Sequence, residues 1–323
     1  MTPTLSVQRS NLIGAAYALA AVLCFSLNDV GFKFLSDAYA LHQVVFIRSL
    51  VGMAAFAAFV MPFAGGLSLL RTRRPKMHLL RGLCVVSANT CLFLGLAAMP
   101  IADAVAVFFV SPLVITVFSV LFLGETVGPR RWAAISVGFL GVLVIVKPGT
   151  AAFQLASLLP VAAAFLYAVM HILARKIGGT ESAPTMVFYI QLTFIVASTI
   201  IGLSLGGGQF AGMGHPSLEF LFRAWVWPAP GDWPILIMLG MSGMLGGLFI
   251  SQAYRLSEAA FAAPFEYVAM PMALMWGVTV FGTWPDATAW IGIALIVGSG
   301  LYLLWRESVK DATLATKAPT YRR

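Results

Sequence analysis

The chain has 323 residues, of which 60% are hydrophobic and 10% charged, with a mean hydropathy of +0.92. A soluble domain carries about 25% charged residues because its surface must face water, so a 34.5 kDa particle with this composition has lipid as its main solvent. The net charge of +8 does not mark a nucleic-acid binder, because the basic residues sit in short runs between apolar segments and form no continuous stripe.

A bilayer core offers the backbone no water, so each long apolar run is expected to be a helix. The N-terminal MTPTLSVQRSN leads into the first run, 12–35, with no small-x-small cleavage site, which reads as a retained helix rather than a removed signal peptide. Further runs follow at 42–62, 78–98, 101–123, 131–147, 155–176, 184–205, 233–254, 260–282 and 286–305. Most reach the ~20 residues that cross ~30 Å of hydrocarbon. Met99-Pro100 marks a tight turn between the third and fourth runs. Cys24, Cys84 and Cys91 lie in apolar stretches with neither metal nor disulfide spacing. Between the seventh and eighth runs, 206–232 is rich in glycine and proline. Its Leu218–Trp227 stretch suits an interfacial helix, as a surface anchor or a substrate gate.

Basic residues test this count. With the N-terminus in the cytoplasm, the inner segments hold Arg9, Arg71, Arg73, Arg74, Lys76, Arg81, Arg130, Arg131, Arg175, Lys176, Arg255, Arg306, Lys310, Lys317, Arg322 and Arg323. The outer segments hold only Lys33, Lys147 and Arg223, and Arg48 lies within a span. Ten spans with both termini inside satisfy this alternation.

The chain also repeats itself. AAVLCFSLNDVGFKF (20–34) aligns with AAFLYAVMHILARKI (163–177), and VVFIRSL (44–50) with VFYIQLT (187–193), at an offset of 143. LFLGLA (92–97) aligns with LFISQA (248–253) at 156, and SPLVITVFSVLF (111–122) with MPMALMWGVTVF (270–281) at 159. The change of offset falls at the 206–232 segment. Five spans per repeat is odd, so the second half is expected to be inverted in the membrane, an arrangement typical of secondary transporters.

LAAMPIADAVAVFFVSPLVITVFSVLFLGE (96–125), followed by PRRWAAISVGFLGVLVIVKPG (129–149), resembles the drug/metabolite transporter superfamily, and within it the EamA-type ten-helix transporters. The second-half counterpart, EAAFAAPFEYVAMPMALMWGVTVFG (258–282), is looser and lacks a glutamate at the position of Glu125. The resemblance implies an all-α polytopic protein of the bacterial inner (plasma) membrane, with ten transmembrane helices in two inverted five-helix repeats. These are 11–149 and 155–306, followed by a cytoplasmic tail, 307–323. It further implies gradient-driven transport of a small organic solute by alternating access, through a cavity lined by the first, third, fourth, sixth, eighth and ninth helices. Substrates in such proteins include amino acids, riboflavin and S-adenosylmethionine.

Ionisable groups inside a membrane are expensive and are functional candidates by default. Asn28, Asp29, Lys33, Arg48 and Asp103 lie toward the outer side, where Arg48 is expected to pair with Asp29 or Asp103 as a gate or an anion-binding point. Asp103 alternatively caps its helix, and Asp29 pairs locally with Lys33. Toward the inner side lie His171, Gln191 and Glu266, with Glu266 a candidate for proton sensing or for binding a cationic group. Asn89, Ser111, Tyr167, Gln252 and Tyr267 are further polar candidates, each equally able to bond a neighbouring helix. Pro112 and Pro271 occupy matching positions and are expected to kink their helices as hinges or fixed bends. Gly138, Gly141, Gly292, Gly298 and Gly300 allow close helix packing.

The expected partners are a small-molecule substrate, membrane lipid and a coupling proton or other ion, with a homodimer allowed and no nucleic acid, cofactor or metal. An intramembrane enzyme is the rival from another class, but the chain has no HExxH or paired-aspartate motif, and its histidines are scattered at 42, 78, 171 and 215. A channel would need a charged ring or filter-like run, and none is visible. No GxxxxGK[ST] loop is present, so an ion or solute gradient rather than ATP is the expected drive. The aromatic residues Phe25, Phe93, Phe108, Tyr167, Phe249, Tyr267 and Trp276 on the lining helices suit an amphipathic organic solute.

Overall fold

The computed structural model describes residues 3–124, 128–151, 153–177, 181–256 and 265–317, and these are helical with no strand. In chain order the helices are α1 (Pro3–Leu35), α2 (Leu41–Ala55), α3 (Pro75–Ala98), α4 (Ile101–Phe108), α5 (Ser111–Leu123), α6 (Pro129–Val146), α7 (Leu158–Ile177), α8 (Ala183–Leu205), α9 (Pro216–Phe222), α10 (Trp233–Leu256), α11 (Ala269–Thr279) and α12 (Ala287–Lys317). A π turn over Phe56–Val60 extends α2. Prolines open α3, α6, α8 and α9, where the missing N–H would have had no helical partner anyway. Ser182 caps α8, its hydroxyl accepting from Thr185 N at 3.2 Å.

Seven described helical segments are long and apolar enough to cross a bilayer: Ile13–Leu35, Leu41–Val60, Pro75–Ala98, Ile101–Phe122, Leu155–Leu173, Ala183–Leu205 and Pro230–Ile250. Trp132–Val146, Ala269–Thr279 and Ala287–Tyr302 are shorter apolar helices. Leu140, Ile200 and Leu203 project outward and Phe32, Leu96, Leu113, Leu236, Leu239 and Ile296 are fully buried, as lipid outside and packing inside require.

The tightest pairings join distant parts of the chain. α1 packs along α10, and α3 along α7; α2 packs against α10, and α3 against α8; α2 meets α8, and α6 meets α12. Glycines permit the closest of these. A Cβ at Gly141 or Gly292 would run into the other's carbonyl oxygen, so α6 and α12 touch backbone to backbone.

The structure departs from the sequence reading in three places. The fourth run, expected as one helix over 101–123, is broken at Phe109–Val110 into α4 and α5. Pro112 sits in the first turn of α5, so its missing N–H accompanies a full break rather than a kink. The interfacial helix expected over Leu218–Trp227 is instead Pro216–Phe222. Arg223 to Trp227 leave the helix because their side chains and backbone bond to α2 and the preceding loop, and Pro228 disfavours helix before it. The last helix does not stop near 305 but runs to Lys317, so most of the expected 307–323 tail has helical backbone. Residues 318–323 of that tail lie outside the described residues, as do 260–264 of the ninth run.

Candidate functional site

Arg48 enters the bundle from α2 and is 8% exposed. The expected carboxylate partner is not the one it finds: Arg48 Nη1 donates to Asn28 Oδ1 at 3.1 Å, while neither Asp29 nor Asp103 comes within ion-pair distance. Asp29 remains near enough for a longer-range electrostatic attraction. Asn28 in turn donates to Ser242 Oγ at 2.5 Å and to Cys24 O at 3.2 Å. One buried network thus ties α2, α1 and α10. Three phenyl rings enclose the guanidinium carbon, with centroids 4.6 Å away for Phe194, 5.1 Å for Phe32 and 5.7 Å for Phe93. Gly243 gives this side chain its passage, for a Cβ there would crowd Nη1 at 3.2 Å.

Lys33 does not pair with Asp29. Its Nζ donates to the carbonyls of Leu96 and Met99, at 2.6 and 2.7 Å, at the C-terminus of α3, where a cation also meets the negative end of the helix dipole. Asp103 lies in the first turn of α4, half-buried, without a cap bond and within electrostatic range of the Lys147–Asp286 pair. The expected four-charge outer cluster is therefore split between a network around Arg48 and a helix-end contact at Lys33.

A second group gathers on α3, α7 and the segment before α11. Tyr167 packs edge-on against His171 (4.5 Å) and Phe108 (5.2 Å), and Tyr267 stacks on Phe109 at 5.3 Å. Glu266 lies within electrostatic range of both tyrosines, and Arg81 within range of Tyr167. Phe109 and Tyr267 are significant by position. Phe109 stands at the α4/α5 break and Tyr267 in the turn Tyr267–Val268 just before α11, so the two interruptions face each other. Pro271, like Pro112, follows its interruption directly. Glycine at 300 lets the buried Tyr267 hydroxyl approach α12.

The remaining candidates are spread out. Asn89 turns its amide back to Val85 O on its own helix at 3.1 Å, and Gln252 is half-buried on α10. Gln191 is buried against Gly52 at the α2–α8 contact. Sequence reasoning overlooked Ser242, Phe32 and Phe194, and took Arg81 only as a loop charge. It also missed the bond from Trp276 Nε1 to Ser26 Oγ, 2.5 Å, that joins α11 to α1. A serine amid the apolar residues of α10, and a basic residue a full turn and more inside α3, were the available signals.

Both ends of the bundle are fastened. At the end that carries the α1–α2 turn, Tyr39 OH donates to the Asp232 carboxylate and accepts from Ala229 N at 2.9 Å. Arg223 donates to Ser36 O at 2.7 Å and Trp225 Nε1 to His42 Nδ1, pinning the 206–232 segment onto α2. Burial, then the bond to the Asp232 carboxylate, pushes the Tyr39 phenol up from its ordinary value. At the other end, Thr72 Oγ1 donates to Glu181 Oε1 at 2.8 Å, and His78 Nε2 lies 3.4 Å from Glu181 Oε2. An open, apolar crevice beside α5 and α6, lined by Phe118, Trp132 and Phe165, faces outward and has the character of a lipid contact.

A bundle of long apolar helices with buried polar groups at interrupted helices defines an integral, multi-pass membrane protein. A family model described as the EamA-like transporter family matches residues 12–147. A riboflavin transporter of Vibrio cholerae is 30% identical over 95% of this chain and 98% of its own. An S-adenosylmethionine uptake transporter of Rickettsia felis is 28% identical over 93% of this chain and 95% of its own. A pseudopaline exporter of Pseudomonas aeruginosa is 27% identical over 88% of this chain and 93% of its own. A protein of known crystal structure shares the fold, with a TM-score of 0.61 at 20% identity over 91% of this chain and 96% of its own. The chain belongs to the EamA-like transporter family, within the drug/metabolite transporters of the bacterial inner membrane. It is a transporter of small metabolites rather than an enzyme.

Proposed function

We propose that the chain is a gradient-driven carrier that moves an amphipathic metabolite by alternating access between two inverted halves, 11–149 and 155–306. Three shorter apolar helices beside the seven long ones among the described residues support a count of ten spans. Pairing supports two related halves, and five spans per half would invert the second. Equating α1 with α7, α2 with α8 and α3 with α10 turns the α1–α10 contact into α7–α3, and the α2–α10 contact into α8–α3. The observation that carries the reading is the meeting of two interrupted helices, Phe109 on Tyr267, each interruption followed by a proline. Interrupted spans at a repeat interface are where carriers hold their cargo.

The substrate is a solute with an aromatic or otherwise amphipathic body, such as riboflavin, an amino acid or S-adenosylmethionine. Two of these are the solutes for which relatives are named. Asn28, Arg48, Tyr167, His171, Glu266 and Tyr267 are its proposed contacts, and Asp29, Asn89, Asp103 and Gln252 secondary ones, with Pro112 and Pro271 as hinges. A proton is the proposed coupling ion, with Glu266 among tyrosines as its carrier. The test is entry of labelled riboflavin and S-adenosylmethionine into proteoliposomes with an imposed pH gradient. Saturable uptake that collapses when the gradient is dissipated is expected; flux equal to that of protein-free vesicles for every solute tried would sink the proposal.

A further inference from the structure

The carrier reading leaves the kind of group that the central arginine receives undefined, and the bonding of Arg48 narrows it. A guanidinium presents its N–H groups along distinct edges, and Nε and Nη2 together form the side-on edge, with two N–H bonds pointing the same way. In this structure Nη1 is the nitrogen that Asn28 satisfies. Nε and Nη2 are both buried and without a hydrogen-bond partner. The unpaired donors are therefore the two that make one fork. They belong to a side chain 8% exposed, inside a span, with phenyl rings near the guanidinium and, among the described residues, no carboxylate within ion-pair distance.

Leaving a cationic donor pair unmet in a lipid-embedded bundle costs free energy that an apolar side chain would not. Cation–π contact with Phe32, Phe93 and Phe194 stabilises the guanidinium but gives the N–H bonds of its Nε and Nη2 no oxygen to donate to. The network also holds the fork in place: Asn28 is fixed by Ser242 and Cys24, and Gly243 keeps the path clear, so the free edge is oriented before anything binds. The acceptor that matches two parallel N–H bonds is planar and has two oxygens about as far apart as the two nitrogens, which describes a carboxylate.

We infer that the Nε–Nη2 edge of Arg48 is a carboxylate-binding subsite, so that the transported solutes include organic acids or amino acids whose carboxylate docks there, beside an aromatic or apolar body. This rests on the carrier reading for its purpose but not for its test. Asp29, beside Asn28 on α1 and attracted to Arg48 at longer range, is the internal carboxylate a solute would compete with.

Benzoate is a suitable probe, a ring and a carboxylate with nothing else, and benzamide is its uncharged counterpart. Thermal unfolding of the purified full chain in detergent, followed by tryptophan fluorescence, is titrated with sodium benzoate, benzamide and sodium chloride. Benzoate is expected to raise Tm saturably, with no such effect from benzamide or chloride. Arg48→Lys keeps the charge but loses the fork, and should weaken apparent benzoate affinity about tenfold or more; Arg48→Gln should abolish the shift. Equal protection by benzamide, a benzoate shift retained in Arg48→Gln, or no benzoate effect on the native chain would each overturn the subsite. If Arg48→Gln does not fold, the benzoate and benzamide comparison and the Arg48→Lys titration still decide. A chain that carries solutes in vesicles yet ignores benzoate removes this inference alone; one that binds benzoate yet moves nothing removes the carrier reading alone.

Discussion

Arg48 and Glu181 show two ways of holding a charge, one within the spans and one at an end of the bundle. Arg48 has one side-chain acceptor, Asn28, and three rings, so removing it loses a buried network rather than a surface pair. Arg48→Ala is expected to cut uptake at least about tenfold with membrane insertion intact, the loss of roughly 1.5–3 kcal/mol of charged hydrogen bonding; labelled uptake in cells, normalised to protein in the membrane, measures it. Glu181, outside the spans, is held by hydrogen bonds. Burial pushes its carboxyl up, but the Thr72 hydroxyl, the His78 ring and the Arg73 backbone outweigh this and hold it below the ordinary value of 4.5. A carboxyl whose folded pKa lies under its unfolded one adds stability above the unfolded value and loses it as pH falls through the folded one. Acidification below about pH 4.5 should therefore loosen this end of the bundle. Glu181→Gln should lower Tm at neutral pH and flatten its fall in acid, as thermal unfolding across a pH series would record. The sequence made Arg48 conspicuous but not its partner. Asn28 and Asp29 are neighbours about 100° apart around α1, and which of them faces α2 depends on how α1 rolls against Ser242 of α10. No single-chain pattern carries that rotation.

At the scale of the element, the prolines and glycines were legible as types but not as geometry. Pro112 and Pro271 marked matching positions, yet the sequence suggested kinks where the backbone is interrupted outright before each. The reason is that a break needs something to stabilise its open ends, and here the contact between Phe109 and Tyr267 does so across the two halves. Pro112→Ala should favour a continuous fourth span, raising Tm while slowing turnover, to be read as a fall in maximal uptake rate at unchanged apparent affinity. Gly141 and Gly292 were expected to permit close packing, and they do so by facing each other's carbonyls. Gly292→Leu should force α6 and α12 apart and destabilise the chain by about 1–3 kcal/mol, the usual cost of overpacking. Gly298, where a Cβ would meet nothing within 4 Å, should tolerate alanine at little cost, and the contrast in Tm between the two variants isolates the packing effect.

Over the whole molecule, composition was enough to read a lipid-embedded helical bundle, because so few charged residues leave no other solvent. The motif at 96–149 pointed to the family that the comparisons bear out. The fastening of the 206–232 segment was not legible, since its glycines and prolines signal only the absence of regular structure. Bonds from Arg223, Trp225 and Asp232 to the α1–α2 region decide its place. The two fastened ends, Tyr39 to Asp232 and Thr72 to Glu181, are what a carrier must release in turn. Counterflow tests that most directly. Proteoliposomes preloaded with unlabelled solute, riboflavin or S-adenosylmethionine, are diluted into a trace of the same solute labelled. Alternating access predicts a transient accumulation of label above its outside concentration, because each outward trip of cold solute returns the site for a labelled one. Label that only equilibrates passively, at a rate indifferent to the preloaded solute, would contradict it.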